Sequence, residues 1–105
     1  MPQFAVYENR NEATQGRFPL LLDVQSDLLQ PLNTRVVVPL SPMATARARA
    51  MQALTPNLNV AGKEYLMVTP QLAGISVREL GSIVDTVSSE RAKIIGAIDL
   101  LITGI

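Results

Sequence analysis

Only one stretch of this 105-residue chain carries a sustained helical repeat, and it is the last. Ile94, Ile95, Ile98, Leu101 and Ile102 recur at helical spacing and share one stripe. At about 100° per residue, Asp99 and Thr103 fall on the far side of that stripe. Ser88 or Ser89 can cap the start, Glu90 suits the positive end of the helix dipole, and Gly104 can close the other end. Upstream lie short runs in period two, broken by all seven prolines. Such a chain has neither the helices for a bundle nor the regular strand–helix order of a parallel sheet. The pattern predicts a single domain over residues 1–105, of the α+β class and mainly β, built on antiparallel strands and closed by one helix.

Along the chain, Gln3–Asn9 alternates, with Phe4 and Val6 facing inward, and reads as a strand. Asn9–Gly16 is a polar loop. Arg17–Gln25 is a second strand, and Pro19 places that end at a sheet edge. Pro31 and Asn33 supply turn chemistry. Thr34–Leu40 is a third strand whose three valines suggest burial on both faces. Pro42 suits the first position of a helix, and Met43–Leu54 is rich in helix formers, so a short helix followed by extended chain is expected there. Asn57–Thr69 reads as a hairpin turning at Ala61–Gly62. Pro70–Gly74 is a connector and Ile75–Leu80 a further strand, while Gly81–Val87 fits more than one state.

Nine basic and nine acidic residues cancel. A neutral chain has no long-range pull on nucleic acid and no reason to coat an anionic membrane. Cysteine is absent, so thiol and disulfide chemistry are excluded, and histidine is absent, which removes the usual base near neutral pH. No apolar run reaches the roughly 20 residues of a membrane span, and the first ten residues do not read as a signal peptide. A cytoplasmic location is expected. The apolar content of 48% is high for so small a domain and predicts a subunit interface or docking face.

Catalytic candidates are few. Asp23 ends a strand and Asp27 holds a turn; Lys63 and Glu64 sit at a hairpin tip; Glu90, Arg91 and Lys93 form a solvated helix face. Arg47 and Arg49 are the densest basic pair but have no aromatic stacking platform beside them. Ile105 is different, because it joins an apolar side chain to the chain's carboxylate directly after the helix cap. Either it folds back on Leu101 or Ile102, or the helix presents it as a plug for a partner.

The segments "FAVY" (Phe4–Tyr7), "LLLDVQSDLL" (Leu20–Leu29), "TRVVVPL" (Thr34–Leu40) and "AIDLLITGI" (Ala97–Ile105) together resemble the CcdB family, toxins of bacterial toxin–antitoxin modules. The resemblance implies a small Src-homology-like antiparallel barrel: a five-stranded sheet with an additional three-stranded sheet and a C-terminal α-helix. It implies a homodimer that is not an enzyme and uses no cofactor or metal. Such a toxin binds the DNA gyrase A subunit and traps gyrase on cleaved DNA. It meets DNA only indirectly, has no membrane partner, and is neutralised by a CcdA-like antitoxin whose disordered segment folds on binding. Carried over residue by residue, the gyrase-binding set is Leu28, Leu29, Asp99, Ile102, Thr103, Gly104 and Ile105.

Two positions depart from the family pattern. Thr103 stands where the best-known poisons carry tryptophan, and Asp99 replaces an amide. A tryptophan stacked on an arginine contributes about 0.5–2 kcal/mol. A threonine offers instead a hydrogen bond worth about 1 kcal/mol net. The main alternative is an endoribonuclease toxin of the MazF and Kid type, with Arg35, Arg47 and Arg49 as candidates for an RNA groove. A degenerate, non-toxic family member is a third reading.

Overall fold

The computed structural model describes residues 2–42 and 53–104. Its strands are β1 (Ala5–Asn9), β2 (Leu20–Asp23), β3 (Thr34–Pro42), β4 (Asn57–Val60), β5 (Lys63–Met67), β6 (Ala73–Ser76) and β7 (Leu80–Thr86). One helix, α1 (Arg91–Thr103), follows them. Every pairing is antiparallel. The fold is therefore mainly β with a C-terminal helix, as expected.

Strand β3 organises the sheet. Residues Val37 to Leu40 pair with β2 along one edge. On the other edge Thr34 to Val37 pair with β6, and Leu40 to Pro42 pair with β5. The five-stranded layer β7-β1-β2-β3-β6 and the three-stranded layer β3-β5-β4 thus share β3, and the result is one curled sheet. Pro39 marks the junction. It sits inside β3 opposite Leu21, and its carbonyl accepts the Val68 N–H at 3.0 Å. Its missing N–H falls on that same edge, where a 3-10 turn, Thr69–Gln71, interrupts the chain between β5 and β6. Proline is tolerated inside a sheet only where the ladder is broken in this way.

Alternation along β1, β2 and β3 builds two cores. Phe4, Val6, Leu20, Leu22, Val38 and Leu40 face one side, where Leu58, Val60, Met67, Ile94 and Ala97 cover them. Ala5, Tyr7, Leu21, Val37 and Leu80 face the other. Val37 and Val38 are buried on opposite faces, as the valine run suggests. Each large side chain withdrawn from water contributes about 1.5–3 kcal/mol.

The β4–β5 hairpin turns at Ala61 and Gly62, whose φ values of 50° and 85° give the left-handed pair of a two-residue loop. Strands β4 and β7 end the sheet path at opposite ends, and charged side chains span the gap between them. The Ala61 N–H donates to Asp85 Oδ2 at 2.8 Å and the Asn59 N–H to Glu90 Oε2 at 3.0 Å. Lys93 Nζ donates to the Asn57 carbonyl at 2.8 Å. The outward backbone groups of this end strand are thus met by side chains instead of a neighbouring strand.

Several expectations are corrected. Pro42 is the last residue of β3, opposite Tyr65, and is strand instead of a first helical position, because pairing with β5 holds it extended. Pro19 lies outside β2, which β1 and β3 flank on both sides, so it marks no sheet edge. The expected strand Ile75–Leu80 is split: Ile75 and Ser76 close β6, Leu80 opens β7, and the residues between them leave the sheet. Ser76 Oγ accepts the Arg78 N–H at 3.2 Å and nucleates a 3-10 turn, Val77–Glu79, between β6 and β7. Ala73 and Gly74, read as connector, belong to β6, and Gly81–Thr86 is strand. Neither Ser88 nor Ser89 caps α1, since both lie in a 3-10 turn that leads into it. The helix buries Ile94 and Ala97, half-buries Ile95 and Ile98, and leaves Leu101 and Ile102 exposed. Its stripe outruns the core that it covers. The helix expected from Met43 and the arginines Arg47 and Arg49 lie outside the described residues.

Candidate functional site

Two apolar projections carry the expected binding residues. The first is a 3-10 turn, Asp27–Leu29, just after β2. Ser26 Oγ accepts the Leu28 N–H at 3.1 Å, and the Leu29 N–H reaches the Ser26 carbonyl at 3.0 Å. This local capping turns Leu28 outward until it is 89% exposed, with Leu29 and Leu32 about half exposed beside it. An exposed leucine held by a hydrogen-bonded turn is presented at little entropic cost, because its backbone is already ordered.

The turn is anchored on both sides. Toward the N-terminus, the Gln3 N–H donates to Asp27 Oδ1 at 2.7 Å, and Gln3 Nε2 donates to the Val24 carbonyl at 3.1 Å. Asp27 therefore holds a turn, as its position suggests. Toward the core, Arg35 Nε and Nη2 grip Asp23 Oδ2 and Oδ1 at 2.8 and 3.0 Å. Both residues are fully buried. Burial pushes the nearby Tyr7 phenol above its ordinary pKa; the Asp23 carboxylate adds to the rise and Arg35 opposes it.

The second projection is the end of α1. Gly104 adopts φ 75°, and its N–H closes on the Leu100 carbonyl at 2.9 Å. This is the left-handed cap that a glycine accepts without strain. Ile102, one turn further out than the buried part of the helix, is 74% exposed. Asp99 and Thr103 are exposed one turn apart, and the Thr103 hydroxyl donates to the Asp99 carbonyl at 2.7 Å. Its proton is thus spent inside the helix. No basic side chain stands in the last turn, so nothing on that turn offsets the negative end of the helix dipole.

Phe4 links the two projections. Its N–H donates to the Asp23 carbonyl at 2.7 Å, and its carbonyl accepts the Val87 N–H at 2.9 Å. The Arg91 guanidinium lies 5.7 Å from its ring centroid. Its φ of 70° is strained for an aromatic residue and costs about 1–3 kcal/mol, which the contacts around it must offset. One residue thus joins the end of β2 to the start of α1.

Of the expected set, Leu28 and Leu29 share one element, while Asp99, Ile102, Thr103 and Gly104 share another; Ile105 lies outside the described residues. Gln3, Gln25 and Arg35 support the turn but escape a sequence reading. Each takes part in a contact 10 or more positions away, and their residue types alone suggest surface. Among the described residues no three acidic side chains gather to hold a metal ion, and no helix is long and apolar enough to cross a membrane. A family model described as CcdB protein matches residues 3–104 of the chain.

Proposed function

Because the chain belongs to the CcdB family, a family of toxins from toxin–antitoxin modules, we propose that it acts by binding the DNA gyrase A subunit and trapping gyrase on cleaved DNA. The observation that carries this reading is the pair of presented side chains, Leu28 and Ile102, each held out by a capped and hydrogen-bonded element. Together with Leu29, Asp99, Thr103, Gly104 and Ile105 they form the proposed gyrase-binding set. The helix end, with Asp99 and no basic side chain in its last turn, suits a cationic surface on the partner. Thr103 contributes less than a stacked aromatic ring would, since its hydroxyl proton is already used.

The protein works in this account as a cytoplasmic homodimer, through binding and not catalysis, and a CcdA-like antitoxin neutralises it. Leu32, Ile83 and Val84 add exposed apolar surface of the kind that a second subunit or a partner covers.

The endoribonuclease alternative loses one of its candidates. Arg35 is fully buried against Asp23 and is withdrawn from any RNA groove. Incubation with RNA separates the two readings, since cleavage would favour the nuclease.

A supercoiling and DNA-cleavage assay with purified gyrase tests the main reading. Intact protein is expected to inhibit supercoiling and accumulate cleaved DNA. Removal of Gly104 and Ile105 is expected to abolish both effects while the circular dichroism spectrum is kept. Full activity in the truncated protein would exclude the helix end from the site. Inactivity of the intact protein toward gyrase would favour the degenerate, non-toxic reading.

A further inference from the structure

Gln25 has no place among the contact residues, yet each of its polar groups is engaged. It is buried, with 6% of its surface exposed. Its own N–H donates to Asp23 Oδ1 at 3.0 Å, and its carbonyl accepts from Arg35 Nη2 at 3.4 Å. The buried ion pair therefore fixes its backbone. Its side chain reaches in two directions: Oε1 accepts the Val36 N–H of β3 at 3.0 Å, and Nε2 donates to the Leu29 carbonyl at 3.2 Å. The amide is a strut whose one end is bonded into the central strand and whose other end holds the 3-10 turn that presents Leu28.

We propose that Gln25 is a positioning residue: its amide bridge from Val36 to Leu29 sets the angle at which Leu28 and Leu29 meet the gyrase A subunit. The inference rests on the reading that these leucines contact gyrase. The chemistry suits a primary amide, which sets an acceptor and a donor on one planar group with no change of protonation state, and of the two amide residues only Gln has this length. A carboxylate would keep the bond to Val36 and set an oxygen against the Leu29 carbonyl. A thioether of similar length would lose both bonds.

The test uses the full chain with Gln25→Glu and Gln25→Met, each with and without Leu28→Ala. Hydrogen exchange at the Leu29 and Gln30 amides, which close the turn on Ser26 and Asp27, is read without any partner. It is expected to speed up about tenfold in both variants, the size of effect one lost hydrogen bond produces, while the Leu22 and Val38 amides are unchanged. Affinity for the isolated gyrase A subunit is expected to fall by a similar factor. The further loss from Leu28→Ala is expected to shrink in either Gln25 background, a non-additivity that a merely structural role would not produce. Unchanged exchange at the turn overturns the proposal, as does strict additivity with Leu28→Ala. If the unaltered protein does not bind the gyrase A subunit, the target is wrong and the proposal falls as stated. The exchange data then show separately whether Gln25 holds the turn.

Discussion

At the scale of single residues, the Asp23–Arg35 pair is the largest electrostatic commitment in the described structure. Both charges are withdrawn from water, so each depends on the other for compensation. Removing one partner strands the other, a loss of about 3–5 kcal/mol for a buried pair. Asp23→Ala is therefore expected to lower the urea midpoint of unfolding sharply. The double change Asp23→Leu with Arg35→Met is expected to cost much less, since no charge is left unpaired. Equal costs for single and double variants would show that the pair contributes through shape instead. The pair also bears on function, because it fixes the backbone of Gln25 and with it the turn that carries Leu28.

At the scale of elements, β7 shows how two strands of unequal length are matched. It spans seven residues against the five of β1, and the register slips twice along the pair. The extra residues bend β7 and leave Ile83 and Val84 facing solvent. Gly81 makes the second slip possible. A Cβ there would lie 3.0 Å from Glu8 Cβ and 3.1 Å from the Glu8 carbonyl oxygen, so tight that the strand pair would have to give by a few tenths of an ångström. Gly81→Ala is expected to destabilise by about 1–3 kcal/mol in thermal or urea denaturation, as overpacking does. Gly74→Ala on β6, where a Cβ would meet nothing within 4 Å, is the matched control, with little change or a gain of about 0.4–1 kcal/mol. A benign Gly81→Ala would mean that β1 and β7 slide past each other without resistance.

At the scale of the whole molecule, the sheet curls until its two ends meet across charged side chains. Asp85, Glu90 and Lys93 bond to backbone groups of Ala61, Asn59 and Asn57, which point away from β5. A strand edge blocked in this way is protected from pairing with another chain. It is also held by bonds that salt and solvent can reach, unlike the ladders at β1, β2 and β3. The hairpin β4–β5 is thus expected to be the unit that opens first. The variant Asp85→Asn with Glu90→Gln is expected to be cut faster by thermolysin between Pro56 and Met67, with the β1–β3 region still resistant. Uniform cleavage along the chain would show that the seam opens only when the whole molecule unfolds.

What the chain's own residues determined is the part of the fold that rests on neighbours in sequence. The alternation of Phe4 with Val6 and of Leu20 with Leu22 places them on one face, and Ala61–Gly62 turns a hairpin. Gly104 ends the helix. Each depends on dihedral preferences and periods that act within a few positions. The tertiary structure decided the rest. Pro42 became strand because β5 lies beside it, and Ala73 and Gly74 became strand because β3 does. Leu101 and Ile102 reached solvent because the core stops at Ile98. Arg35 passed from a surface candidate to a buried anchor because the Asp23 carboxylate, on the neighbouring strand, meets its guanidinium. Helix and turn preferences are typically worth about 1 kcal/mol or less per residue. A strand ladder or a buried side chain outweighs that, and which of these a residue meets is set by segments far away in the chain.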